Sequence, residues 1–300
     1  MDINKNILIV LSFVGLWISS IVPDIYEVFL GLFLIVSFGI LHGSNDILLL
    51  KNINKKEKNH SFFKVLTTYI ITIITAIFIF YFIPIIGLLL FIFFSAFHFG
   101  EQHWEHKIKG STILYNSIYY IFYGLFILQL LFIFNTQDVS NVIESISSYT
   151  VSSNFLYISF YSNAFLLFIQ TLIFVYQKKI SQEIILSDTL LIIVFGIIFE
   201  VSTLIWGFAI YFILWHSIPS LVEQVTFIYG KTNKKTIFNY TKKAFPYWLI
   251  SIIGLAFVYF LFKDEKLLYA ILFSFIAAVT FPHAFVITKL FKHKKTPSNK

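Results

Sequence analysis

Residues 84–100 read PIIGLLLFIFFSAFHFG, an apolar run with no charged side chain and one imidazole, His98. As a helix rising about 1.5 Å per residue, this run covers most of the ~30 Å of a bilayer's hydrocarbon core. It is one of many. Similar runs cover Asn6–Val22, Tyr26–Leu50, Phe62–Ile83, Ile85–Gly100, Thr112–Phe134, Ser153–Tyr176, Ile184–Phe199, Thr203–Val222, Phe245–Phe262 and Leu267–Thr288. They predict an all-α, polytopic integral membrane bundle of ten transmembrane helices. Pro84 alone separates the third from the fourth, and Glu200–Ser202 the seventh from the eighth, so the count is eight to ten. The reading is one transmembrane catalytic domain over residues 1–290, followed by a basic cytoplasmic tail at 291–300.

Composition agrees. Apolar residues make up 58% of the chain and charged residues 12%, about half the share usual in soluble domains. With 38 Phe and 17 Tyr, no soluble fold of this size has interior enough to hide the apolar side chains. An ordinary soluble enzyme, a disordered chain and a nucleic-acid binder are excluded. The absence of cysteine excludes iron–sulfur clusters, thiolate metal sites, disulfides and covalently attached haem. The net charge of +7 rests on lysine, since the chain has no arginine. With the N-terminus inside, all of the 22 lysines except Lys263 and Lys266 fall on inner segments or, like Lys64, within one turn of them. This satisfies the positive-inside rule and puts both termini in the cytoplasm. The first run has no small-residue cleavage site after it and reads as a retained helix.

Four histidines lie at one depth. His42, His98, His216 and His283 fall in the second, fourth, eighth and tenth runs, all directed from outside to inside. His42 sits nine residues before Lys51, His98 nine before Lys107, His216 seven before Glu223 and His283 six before Lys289, or about 10 Å below the inner surface. A single intramembrane histidine commonly serves helix packing. Four on parallel helices point instead to a metal or haem site, because neutral imidazole is the commonest metal ligand. Asp46, one turn after His42, and Glu101, three residues after His98, are placed to orient ligating imidazoles from behind. His103 and His106 join the site only if the fourth helix runs longer; His60 and His293 lie in solvated lysine-rich segments. Pro219 and Pro282, near His216 and His283, mark broken helices of the kind that surround buried membrane sites. Phe97, Phe99, Tyr211, Trp215 and Phe281 flank the histidines and are candidates to line an apolar cavity reached from the bilayer.

The succession Leu41-His42-Gly43-x-x-Asp46, Phe97-His98-Phe99-Gly100, Trp215-His216-Ser217-x-Pro219 and Phe281-Pro282-His283 resembles the Brp/Blh family of bacteriorhodopsin-related, β-carotene-cleaving membrane proteins, over nearly the whole chain. The resemblance implies a β-carotene 15,15′-dioxygenase of the bacterial plasma (inner) membrane, which splits the central double bond with O2 into two all-trans-retinal molecules. It implies non-haem Fe(II) as cofactor, with His42, His98 and His216 as iron ligands and His283 as the match to the C-terminal Pro-His motif. It also implies membrane lipid as surroundings and a functional link to a retinal-binding rhodopsin. One departure stands out. The family pattern places a second histidine one turn after the third-motif histidine, and this chain has Ser220 there. Either His283 supplies that ligand, or water does, or the activity is altered. From the residues alone, a bis-histidine haem b protein and a histidine-lined metal or proton transporter stay open.

Overall fold

A computed structural model describes residues 5–43, 45–57, 62–261 and 265–295; within them a few side chains, His42 among them, lie outside the description. Among the described residues every regular element is helical. In chain order these are α1 (Lys5–Ile21), α2 (Asp24–Leu34), a π-helical segment (Ile35–Gly39), α3 (Ile40–Gly43), α4 (Asp46–Glu57), α5 (Phe62–Phe82), α6 (Pro84–Trp104) and α7 (Ile113–Phe134). There follow α8 (Thr136–Ser147), α9 (Ser153–Tyr176), α10 (Gln182–Val201), α11 (Leu204–Ile210), a second π-helical segment (Tyr211–Ser217), α12 (Ile218–Tyr229), α13 (Lys234–Leu261) and α14 (Glu265–Lys295). Among the described residues six helical stretches are long and apolar enough to cross a membrane: α6, α7, α9, α10, the continuous rod Leu204–Tyr229, and Phe275–Lys292 of α14. The chain is a multi-pass helical membrane bundle.

The helix ends follow from local chemistry. Thr112, Ser152, Ser181 and Thr203 precede α7, α9, α10 and α11, and each hydroxyl accepts from the amide three residues on. Pro84 opens α6, where its missing N–H leaves no bond unmade. The buried carboxylate of Glu27 accepts from the Thr203 amide at 3.0 Å, tying α2 to the start of α11.

Two features depart from the sequence reading. The second apolar run is not one helix; it passes through a π segment and α3 before α4. And residues 135–152, left between the fifth and sixth apolar runs, contain α8. Its polar residues mask one apolar face, on which Val139, Val142 and Ile143 pack against the core.

The tightest pairing is α6 on α7, made possible by two glycines. A Cβ on Gly100 would lie 1.9 Å from the Tyr120 carbonyl oxygen, and one on Gly124 would lie 1.9 Å from that of Ala96. The two backbones therefore touch, as small residues allow in membranes. This contact fixes α6, the helix that carries His98. Around it the core is aromatic, with Trp104, Tyr119, Tyr123, Phe174, Phe195 and Phe199 fully buried. The outer surface is apolar too: Phe29, Phe78, Ile158 and Phe165 are among many large exposed side chains, as contact with lipid requires.

Candidate metal centre

His98 from α6, His216 from the second π segment and His283 from α14 meet in the bundle interior, each at most 3% exposed. One ring nitrogen of each lies within 4.8 Å of the other two. The His98 ring centroid is 4.6 Å from that of His216 and 5.1 Å from that of His283, with both pairs close to perpendicular. Ligand atoms around one metal at about 2.1 Å can lie up to ~4.2 Å apart, so the observed spread is near a binding set. This buried group of three imidazoles could hold a metal ion.

Each ring is placed by its local sequence. His216 sits in a wide π turn, a distortion frequent at functional sites. Pro219, three residues on, has no N–H to return to the Trp215 carbonyl, so a regular α turn is already broken there. The Gln102 amide donates to the His216 carbonyl at 2.9 Å and ties that turn to α6. His283 follows Pro282 inside α14, and its Nδ1 lies 2.8 Å from Asp46 Oδ1. With Nδ1–H donated to the carboxylate, the lone pair of the neutral ring is on Nε2. Tyr69 donates to the other Asp46 oxygen at 3.2 Å. Thr288 donates to Glu101 at 2.6 Å, joining α14 to α6 one turn beyond the histidines.

The side chain of His42 lies outside the described residues, but the backbone beside it does not. A Cβ on Gly43 would be 3.7 Å from Nδ1 of His283, so α3 runs against the histidine group. Ser220 is elsewhere. Its oxygen accepts from Gln224 at 3.0 Å, and Gln224 in turn accepts from Tyr240. Ser220 belongs to a buried polar chain between α12 and α13 and does not border the cavity at the histidines. His103 and His106 also stand apart. His103 pairs with Asp188 and stacks on Tyr123, and His106 lies 3.1 Å from Glu223. His60 is outside the described residues, as is the side chain of His293.

The cavity at the three histidines is lined by the first π segment, α3, α6, α11, the second π segment and α14. Of the five aromatics expected beside it, Phe99 borders it. Phe97 packs on Tyr120, and Tyr211 is wedged between Phe99 and Phe195. Trp215 points to the Ser12 hydroxyl at 2.9 Å, and Phe281 pairs with Phe94 along a groove beside α5. Phe212, another aromatic near His216, lines the cavity as well, and so do three residues the sequence reading passed over: Phe91, Ser95 and Phe208. For Phe208 a signal was present. Phe208, Phe212 and His216 are spaced four apart, and their rings stack in series.

A second polar group lies at the inner end of α6, outside this cavity. Lys107, in the connection after α6, is 3.5 Å from Asp188. Burial is the main cause that pushes the Lys107 ammonium down to about 8; Asp188 opposes the shift and Lys5 adds to it.

No curated protein and no solved structure is significantly similar to the chain. The family model described as beta-carotene 15,15′-dioxygenase matches residues 33–291. That span includes His98, His216 and His283, and it covers most of the 300 residues. With histidines on three separate helical rods brought to one buried point inside a membrane bundle, the chain belongs to the beta-carotene 15,15′-dioxygenase family.

Proposed function

We propose that the protein is a membrane oxygenase that cleaves β-carotene at its central 15,15′ double bond. His98, His216 and His283 would hold Fe(II), with His42 as a further ligand. The observation that carries this reading is the convergence of three buried imidazoles on an apolar cavity, in a chain of this family. The donor set fits: neutral imidazoles suit iron, and no thiolate competes in a chain without cysteine. Bound iron would supply the activation of O2. Overall, one O2 is consumed, the C=C bond breaks, and each carbon leaves as an aldehyde carrying one oxygen atom. Two all-trans-retinal molecules result.

The chain's own residues do the rest. Asp46 holds His283 by Nδ1 and sets its tautomer. Gln102 holds the backbone at His216. Phe91, Phe99, Phe208 and Phe212 give the cavity walls that grip a polyene and keep water from the reacting centre. The substrate dissolves in the hydrocarbon of the membrane in which the bundle sits, proposed to be a bacterial plasma membrane. Delivery of retinal to a rhodopsin is compatible with this reaction.

The geometry disfavours the two alternatives. A haem plane between two axial imidazoles needs more separation than ring centroids 4.6 and 5.1 Å apart provide. An ion path needs polar walls, and apart from the histidines, Ser95 and Thr280 this cavity is lined by apolar residues and glycine.

The test is expression in a bacterial host that accumulates β-carotene, with retinal and remaining carotene measured by chromatography. Retinal forming as the carotene bleaches is the expected result. Intact carotene, with the protein in the membrane and iron supplied, would overturn the reading.

A further inference from the structure

The cavity at the histidines has a neighbour along α6. Phe91, Ser95 and Phe208 border it and also border a second cavity, whose other walls include Leu88, Val142 and Ile143. Ser95 is the single polar residue of that second cavity. Its far wall includes α8, through Val139, Val142 and Ile143. From His98 to Leu88 the path follows α6 for ten residues, or about 15 Å. That is the length of one extended, retinal-sized half of a symmetrical carotenoid.

The walls suit such a chain. Phe208 and Phe212 stack at 5.2 Å with planes 11° apart, and Phe212 and His216 at 5.5 Å with planes 16° apart. Near-parallel rings thus lead from the second cavity to a histidine. The voids are slim, about 40 and 80 Å³, so seating a polyene requires side chains to move aside, Phe91 and Phe208, which border both voids, among them. At the far wall, Val139, Val142 and Ile143 of α8, with Leu128 and Leu131 of the adjoining α7, present only carbon side chains. A hydroxylated end ring would bury its oxygen there without a side-chain partner, which is unfavourable.

We propose that this path seats one half of the substrate and that α8 is its stop. The distance from α8 to the histidines then selects the double bond that is cut, and the apolar far wall selects an unsubstituted end ring. The proposal rests on the reading under Proposed function.

The test compares wild type with Val142→Trp and Ile143→Phe, each supplied with β-carotene, by chromatography of all aldehyde products. Both positions lie on α8, away from the histidines. A shortened path pushes the polyene outward and brings an off-centre bond to the reacting point. Retinal falls about tenfold or more, and pairs of unequal apocarotenals take its place. Each such cut again consumes one O2 and leaves one oxygen on each aldehyde. The smaller change, Ile143→Phe, gives a mixture of central and off-centre products, and it decides the matter if the tryptophan variant does not accumulate. Retinal alone at the wild-type rate, from a variant present at the wild-type level, overturns the ruler and leaves the activity standing. Loss of all cleavage without off-centre products also overturns it. Intact β-carotene in the wild type itself overturns both the activity and the ruler.

Discussion

Asp46 and His283 are 237 residues apart in the chain, yet they share a 2.8 Å hydrogen bond in the middle of the bundle. Both are buried, and Tyr69 completes the carboxylate's contacts from α5. A carboxylate behind a ligating imidazole raises its basicity and fixes its orientation, and removing it weakens metal binding about 10–100-fold. Asp46→Asn is therefore expected to raise the Fe(II) dissociation constant by that factor, with the protein still present in the membrane. Equal iron affinity in the variant and wild type would show that the contact is only packing.

The three imidazoles act as a set. Replacing His98, His216 or His283 by alanine is expected to remove stoichiometric metal while the protein still accumulates in the membrane. Metal analysis of the purified variants is the check. Full occupancy in His283→Ala would place that residue behind the metal rather than on it. Ser220 supplies no substitute here, because its oxygen is engaged by Gln224 and it does not border the cavity at the histidines.

The α6–α7 contact makes a sharp stability prediction. In Gly100→Ala the new methyl would collide with the Tyr120 backbone, which cannot turn aside as a side chain could. The strain of overpacking is about 1–3 kcal/mol or more, so the melting temperature in detergent should fall by several degrees. Gly196→Ala is the control: its Cβ meets nothing within 4 Å, and the midpoint should hold or rise slightly.

Lys107 gives a pH dependence with a defined sign. Its ammonium is lowered from the ordinary 10.5 to about 8, chiefly by burial, with Asp188 opposing and Lys5 assisting. His103 also lies within reach, 2.6 Å from its nitrogen. Between pH 8 and 10.5 the unfolded chain binds this proton and the folded chain does not, so stability rises with pH across that window. Below about pH 8 that gain is lost. Melting in detergent from pH 7 to 10.5 should show the rise for wild type, and Lys107→Met should flatten it. An unchanged slope in the variant would assign the effect to other groups.

The membrane fold was legible because apolar runs of helical length are an unambiguous signal. Among the described residues each expected span is mostly helical, although the second is divided, and the chain breaks at Pro84 and at Ser202–Thr203 where the sequence suggested. Helix α8 was hidden because a surface helix with one apolar face resembles a polar loop unless its period is counted. The π turn at His216 was hinted at by Pro219 but depends on tertiary support from Gln102. Equal depth correctly suggested that His98, His216 and His283 are neighbours, because rise per residue is fixed. Depth says nothing of rotation about the helix axis, so neither the pairing of Asp46 with His283 nor the turning of Trp215 towards Ser12 could be read. The same ignorance of rotation hid Phe91 and Ser95, which face the cavity from α6.

The most direct test of the proposed metal-dependent cleavage is made on one purified sample. The protein is loaded with Fe(II) without oxygen, its iron content is measured, and β-carotene and O2 are then added while retinal is quantified. The expected result is bound iron and two retinal molecules per carotene consumed in wild type, with both lost in His216→Ala. Iron-free protein that still forms retinal, or a His216→Ala variant that keeps its iron and its rate, would contradict a reaction centred on these three histidines.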